Sequence, residues 1–316
     1  MKISELVVGE KINDVCLVLK NIAQRGDTYG IILKDKSGEA SALCRAELVT
    51  ESVLSNIGGV VKITAVVKPG KDRKPELVIK QIAKANKGEY KSSDLYDGLS
   101  EEKIAEYTEM ITSMKKYVHH EGFRALLDIA LNEETLSLLA SMPATLGYYG
   151  RYKGGALAGA ALVTQFVKDC GCDYVKHFNA LHQGNINWSL LITAALLNTY
   201  GVVDYLTREE PFRKTPTGVE RGYYSVLQSR IERLVIENNL PIADEELSQL
   251  LNVLAASVSS HTSVKATSKE GILLRHLLAL YSELDMLDFG VEKDKTEDAD
   301  EVGYFYNSVL RRYISA

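Results

Sequence analysis

The feature that most constrains the fold is a change of rhythm along the chain. Residues 1–86 alternate between short runs of apolar, often β-branched residues and turns rich in Gly, Pro, Asp and Ser, whereas the residues after Ser100 keep helical spacing. Strand-forming runs bounded by turn residues predict short strands, and apolar residues at intervals of three and four predict amphipathic helices. The sequence therefore predicts a β domain followed by an all-α domain.

Five strand-forming runs occupy the β domain, with one helical segment between the third and the fourth. The runs are 15–19, 29–35, 40–45, 60–67 and 76–82, and the helical segment is 48–57. Five strands with a helix after the third is the order of an OB-fold barrel. We predict an α+β chain of two domains: a five-stranded OB-fold β-barrel at 1–86, a polar linker at 87–100 and an all-α domain at 101–316.

The α domain is predicted to begin at Ser100, whose side chain can cap a helix with acidic residues in its first turn. The helical segments are 104–118, 123–130, 133–140, 156–169, 188–199, 225–238, 244–258 and 271–287. Residues 292–301 are predicted to be a solvated acidic loop, and 300–314 a last helix.

Charge and cysteine content narrow the function classes. Residues 1–90 carry 15 Lys/Arg against 11 Asp/Glu, while the rest of the chain is acidic, so a polyanion is expected to meet the β domain. There is no run of eighteen apolar residues, which predicts no membrane span, and the N-terminus lacks the apolar core of a signal peptide. Four cysteines, of which only Cys170 and Cys172 are close, favour free thiols in a reducing cytoplasm.

The order of OB barrel, linker and helical domain resembles the YhaM-type 3′–5′ exoribonucleases, which join an OB fold to an HD-domain phosphohydrolase. The best local match is 143–157, where Pro143-Ala144 and Gly154-Gly155 agree with the family. Tyr148-Tyr149 stands where the family has His-His, and Gly159 where it has a further histidine.

The remaining family motifs fall on other segments of the helical domain. Leu-Leu-His-Asp-x-Gly-Lys falls on Leu196-Leu197-Asn198-Thr199-Tyr200-Gly201-Val202, and Gly-His falls on Gly222-Tyr223. Ser-His-His-Gly falls near Ser259-Ser260-His261-Thr262. The late Ala-Asp-x-Leu-Asp falls near 281–285, with Ser282 at the first aspartate. The resemblance thus implies a helical scaffold whose HD positions hold Tyr148, Tyr149, Gly159, Asn198, Thr199, Tyr223, His261 and Ser282.

These residue types do not suit metal catalysis. An HD site needs several imidazoles and two carboxylates converging on divalent metal, which activates water and neutralises phosphate charge. Asn and Thr offer neutral oxygens, Tyr has a pKa of about 10, and His261 is a single imidazole. No other catalytic motif stands out. We expect no catalytic residues, no bound metal and no cofactor, hence a pseudoenzyme.

The barrel surface predicts a single-stranded nucleic acid as partner, RNA rather than DNA. OB barrels bind single strands through a basic groove and aromatic stacking platforms. The predicted contacts are Tyr29, Lys34, Arg45, Lys62, Lys71, Arg73 and Lys74, with Lys36, Lys68 and Lys80 as further candidates. Cys44 aligns with a tryptophan that the family often has on the third strand. The alternative is that these lysines only keep the barrel soluble.

Three functions remain open from the sequence. The first is a catalytically inactive homologue that acts in nucleic-acid binding, regulation or scaffolding. The second is an active metal-dependent 3′–5′ exoribonuclease with a shifted site, and the third an oligomeric assembly subunit. The family resemblance implies a homo-oligomer. Tyrosines 148, 149, 152, 223 and 224 are expected to gather at the former metal pocket, either as a plug or as a nucleotide-stacking site.

Overall fold

A computed structural model describes residues 2–70, 75–86, 88–147, 149–181, 186–257, 265–294, 304–307 and 312–315. The chain forms two compact units. One comprises Met1–Gly98 and Glu209–Arg213, and the other comprises Leu99–Arg208 and Lys214–Ala316. The main boundary therefore lies between Gly98 and Leu99, so most of the predicted linker belongs to the first unit.

The first unit contains a closed five-stranded barrel, as predicted. Its strands are β1 (Lys11–Arg25), β2 (Thr28–Asp35), β3 (Gly38–Arg45), β4 (Val60–Pro69) and β5 (Pro75–Lys84), and α1 (Glu51–Leu54) precedes β4. The order around the barrel is β1-β2-β3-β5-β4, closed by pairing of β4 with β1. β3 and β5 are parallel, whereas the other neighbouring strands are antiparallel. This strand order defines the OB fold.

The barrel core follows from the two-residue period of the strands. On β2 the buried apolar residues are Ile31 and Leu33, and on β3 the buried residues are Ala40, Ala42 and Cys44. Large residues on one strand thus face small ones on the next, which suits the interior of a small barrel. Residues between them face outward and are available for binding.

The segment that follows β5 packs on the outer surface of the barrel. We name residues 88–98 the strap; it contains the short helix α2 (Ser92–Leu95). Leu95 is 5% exposed and clusters with Val18 and Val60, and the Tyr96 hydroxyl donates to the Gly58 carbonyl at 3.3 Å. The polar composition of this segment predicted a linker, but one buried leucine and one tyrosine are enough to dock it.

The second unit is helical over most of its length. Its helices are α3 (Glu101–Lys115), α4 (Glu121–Ala130), α5 (Glu133–Ser141), α6 (Gly155–Leu181), α7 (Trp188–Leu197), α8 (Val202–Tyr205), α9 (Pro216–Glu237), α10 (Asp244–Ser257) and α11 (Lys269–Asp294). Ser100 caps α3 as predicted, accepting from the Lys103 amide. From Ser189 to Leu197 every α7 residue is buried, which makes α7 the central helix. No helix among the described residues is long and apolar enough to cross a membrane.

The predicted last helix at 300–314 is wrong. The structure has two short antiparallel strands there, β6 (Tyr304–Asn307) and β7 (Arg312–Ser315), with Tyr304 opposite Ser315. Tyrosine, phenylalanine and isoleucine favour strands, and this tendency prevails over the helical spacing. α11 extends to Asp294, and the rest of the predicted acidic loop lies outside the described residues.

Candidate nucleic-acid interface

The outer surface of β2 and β3 carries a flat apolar row. Cross-strand pairing brings Ala23, Gly30, Leu43 and Val78 side by side from β1 to β5. Leu43 is 40% exposed, although it is a large apolar side chain. Gly30 adds no side chain between Ala23 and Leu43, which leaves room for a neighbouring side chain beside the backbone.

Three exposed cations lie at one end of this row. Arg25 and Arg45 both flank Thr28 in the register, and Lys80 follows Val78 by two residues along β5. Arg25 Nε lies 3.9 Å from the position that a Cβ on Gly30 would occupy, so the guanidinium lies beside this glycine. We name Arg25, Gly30, Leu43, Arg45, Val78 and Lys80 the barrel face.

The predicted stacking residue, Tyr29, lies on the other side of the strand. It shares the inward register of Ile31 and Leu33, packs against the core, and its hydroxyl donates to Gln24 Oε1 at 3.4 Å. Its β3 partner Cys44 is also buried, and burial raises the pKa of the Cys44 thiol to about 11. Leu43 and Arg45, not Cys44, therefore hold the outward positions of the third strand.

The predicted phosphate contacts Lys34 and Lys62 are paired with carboxylates of the strap. Lys34 Nζ lies 3.5 Å from Asp97 Oδ2, and Lys62 donates to Glu89. The hydrogen bond to Glu89 raises the pKa of Lys62 and lowers that of Glu89, which also accepts from the Asn86 amide at 2.6 Å. Lys71, Arg73 and Lys74 lie outside the described residues.

In the helical unit, the structure brings together five of the predicted HD positions. They are Tyr149, Gly159, Asn198, Thr199 and Tyr223. A Cβ on Gly159 would lie 3.1 Å from Thr199 Cγ2 and 3.9 Å from Tyr149 Cε2. The Tyr223 hydroxyl donates to the Asn198 carbonyl, and Thr199 Oγ1 donates to the Ala156 carbonyl at 2.8 Å. Tyr148 and His261 lie outside the described residues.

The predicted position Ser282 does not join this group in the contacts described. Its hydroxyl donates to the Ala279 carbonyl of its own helix at 3.0 Å. Tyr281 and Asp285 are the α11 residues that reach the group: the Tyr281 ring meets Tyr149 edge-to-face at 5.6 Å, and Asp285 Oδ2 accepts from the Gly150 amide at 2.8 Å. Their spacing of four residues, which places them on one helix face, was the signal that could have identified them.

The backbone conformation of the loop before α6 explains why glycine stands at positions 154 and 155. Gly154 has φ +88°, which L side chains rarely adopt, and a Cβ on Gly155 would lie 2.1 Å from the Gly150 carbonyl oxygen. The Ala144 amide also donates to the Gly150 carbonyl at 2.8 Å. These residues therefore fold the loop before α6 irrespective of any chemistry at the group.

The donor set of this group does not fit a divalent metal. Burial and the nearby Asp285 carboxylate raise the pKa of Tyr149 to about 12, and burial raises the pKa of Tyr223 well above 10. Both phenols are thus protonated near neutral pH. Within the described ranges, no three His, Cys, Asp or Glu side chains gather in a metal-binding arrangement. Neutral hydroxyl and amide oxygens with one carboxylate are a poor set for transition metals.

Comparison with known proteins gives only distant likenesses. No family model and no curated protein matches the sequence. Among solved structures, the second OB-fold domain of replication protein A from Methanococcus maripaludis is 22% identical, covering 28% of this chain and 96% of that domain, with a TM-score of 0.19. Asparaginyl-tRNA synthetase from Pyrococcus horikoshii is 14% identical over 39% of this chain, with a TM-score of 0.21.

The likeness to the synthetase is partial, because this chain spans 33% of its length. Aspartyl tRNA synthetase from Entamoeba histolytica is 11% identical over 63% of this chain and 43% of that protein, with a TM-score of 0.23. The strand order described above, rather than these values, identifies the barrel as an OB fold.

The barrel face has the chemistry to bind a flexible polyanion. In OB folds, strands 2 and 3 and the adjoining loops form the surface that binds oligonucleotides and oligosaccharides. Here that surface offers an apolar floor at Gly30 and Leu43 for a planar ring, and guanidinium groups at its edge that can bind phosphate or stack on a base.

Proposed function

We propose that this protein binds single-stranded nucleic acid on the barrel face without cleaving it. The observation that carries the proposal is the position of the exposed Arg25 and Lys80 beside Gly30 and Leu43. Arg45 lies at the same end and is ion-paired with Glu47 at 2.8 Å. Single strands bind OB folds through cationic contacts to the backbone and stacking of bases. With no aromatic ring among the residues of the barrel face, we expect modest affinity and a strong dependence on salt.

We further propose a catalytically inactive relative of the YhaM-type exoribonucleases, acting as a regulator or scaffold in the cytoplasm. The chemistry of Tyr149, Tyr223 and Asn198 supports this proposal. The phenols are protonated and the amide is neutral, at positions to which the resemblance assigns imidazoles and a carboxylate-bearing motif. RNA is the proposed strand, and a homo-oligomer the proposed assembly.

Binding is tested by fluorescence anisotropy of the full chain with a labelled oligouridine over a series of salt concentrations. Arg25→Gln/Lys80→Gln is expected to reduce the salt slope by about 1.4, since each phosphate contact with a single strand contributes about 0.7. The matched control, Lys11→Gln/Lys84→Gln, removes two exposed cations of β1 and β5 outside the barrel face. Equal losses in both variants, or no binding by the wild type, would overturn the proposal.

Cleavage is tested with the same RNA and Mn²⁺, with and without chelator. The expected result is a strand of unchanged length. Metal-dependent shortening from the 3′ end would overturn the proposed inactivity and favour an active exoribonuclease with a shifted site. Neither binding nor cleavage, together with a stable oligomer in light scattering, would favour the assembly subunit.

A further inference from the structure

A second cationic feature lies on the helical unit, where the end of α3 meets α6. The ammonium groups of Lys116 and Lys168 both lie 5.4 Å from the centre of the Tyr117 ring. At this distance an ammonium is attracted to the face of an aromatic ring. Two cations, one directly after α3 and one on α6, therefore lie against the same ring.

Neither of these lysines is ion-paired within the part of the chain that the structure describes. The neighbouring Lys115, by contrast, is 15% exposed and bonds to Asp128 at 3.3 Å and to the Leu131 carbonyl at 3.1 Å. Lys116 is exposed and Lys168 is half-buried. Two like charges gathered without a carboxylate produce a locally positive potential.

The sign of this patch is opposite to that of its surroundings. Residues 91–316 carry 22 Lys/Arg against 31 Asp/Glu, so this part of the chain is acidic overall. His119, also exposed, follows two residues after Tyr117, and the Arg124 guanidinium bonds the Val118 carbonyl at the end of the same turn. Further basic groups thus accompany the two lysines near the end of α3.

We propose that Lys116, Tyr117 and Lys168 form a phosphate-binding site for single-stranded nucleic acid, separate from the barrel face. Two ammonium groups and a phenol hydroxyl are donors that suit the two non-bridging oxygens of a phosphodiester. The ring also offers a face or edge to an adjacent base. The inference rests on the proposed nucleic-acid function for the identity of the polyanion.

The test uses the full chain, labelled oligouridine and a salt series. Lys116→Gln/Lys168→Gln is expected to lower the salt slope by about 1.4, because two phosphate contacts are lost. The control, Lys103→Gln/Lys265→Gln, removes two exposed lysines of the same unit, of which Lys103 is paired with Glu106 at 2.7 Å. Its slope is expected to equal that of the wild type.

One further variant and a folding control make the outcome specific. Tyr117→Leu keeps both lysines but removes the ring, so it is expected to weaken binding with less change of slope than the lysine pair. Unchanged circular dichroism and thermal midpoints exclude unfolding as the cause.

The results separate the two proposals. If the wild type does not bind RNA, the proposed function fails, and the site fails with it. If the wild type binds and the lysine pair behaves as its control, only the site is refuted. If Lys116→Gln/Lys168→Gln instead loses binding to vesicles of anionic phosphatidylserine while its RNA binding is intact, the nucleic-acid site is refuted in favour of a membrane contact.

Discussion

Removing the two strap carboxylates that pair with barrel lysines should strengthen nucleic-acid binding. Glu89 bonds Lys62 and Asp97 lies 3.5 Å from Lys34, so the strap pairs with two cations on the outer surface of the barrel. Val18 of β1 lies opposite Lys34 of β2 and Val60 of β4, and Cys16 of β1 lies opposite Lys62 of β4. Both lysines therefore belong to the part of the barrel surface on which the strap packs. Glu89→Gln/Asp97→Asn removes both charges and nearly keeps the side-chain shapes, while each amide retains one of the two acceptor oxygens of the carboxylate.

The magnitude follows from counterion release. Each lysine freed to contact phosphate adds about 0.7 to the salt slope of single-strand binding, so the double variant gains about 1.4. A fourfold rise in salt should then reduce its advantage over the wild type about sevenfold. The ion pairs are exposed, with side chains 31–52% accessible, so the thermal midpoint should change little.

The assay is anisotropy with an oligouridine of about 16 nucleotides, the upper site size of one OB fold. Glu101→Gln/Glu109→Gln in α3 is the control, since it makes the same change in net charge at exposed positions of the helical unit. If both double variants gain equally, total charge rather than release of Lys34 and Lys62 is the cause. If neither gains, the strap does not compete with the strand, and the reasoning is refuted.

Three further predictions concern stability. Leu95→Ala should lower the free energy of unfolding by about 2 kcal/mol in denaturant titration. It should also make Cys16 more reactive to alkylation, while buried Cys44 stays unreactive. An unreactive Cys16 would contradict the packing of the strap. Tyr223→Phe loses the bond to the Asn198 carbonyl, at a cost of about 1 kcal/mol; an unchanged unfolding midpoint would count against that bond. Tyr149 and Tyr152 have pKa values raised to about 12 by burial. Their contribution to the free energy of unfolding should be fully present below pH 10 and be lost between pH 10 and 12. Tyr149→Phe/Tyr152→Phe should flatten this loss of stability, and parallel pH profiles of the variant and the wild type would disprove it.

The barrel was predictable because its signals are local. A two-residue period with turn residues at fixed places determines strand order, and it also determines which residues face inward. The same parity, applied strictly, would have placed Tyr29 and Cys44 inside and Leu43 outside. The aromatic ring of Tyr29 favours a stacking role, but the two-residue period places Tyr29 on the inward side of β2.

The strap and the tyrosine group depend on distant contacts. Nothing in the neighbouring sequence distinguishes Glu89 and Asp97 from other solvated acids. The lysine partner of Glu89 lies 27 residues away, and that of Asp97 lies on β2. The glycines before α6 were recognisable, since left-handed backbone and close approach restrict residue type. Tyr281 and Asp285 required knowing which face of α11 packs inward.

The pairing between β3 and β5 is the shortest in the barrel, and it lies beneath the barrel face. β3 and β5 pair through only three residue pairs, from Ser41–Glu76 to Leu43–Val78, whereas their antiparallel neighbours pair over much longer stretches. Amides at such a short junction should exchange with deuterium earlier than those of the long ladders, because local opening there breaks few bonds. Leu43 and Val78 also belong to the barrel face, so a bound strand would span the junction and hold it closed. Slower exchange at these amides would then mark where the ligand lies, without any residue having been mutated.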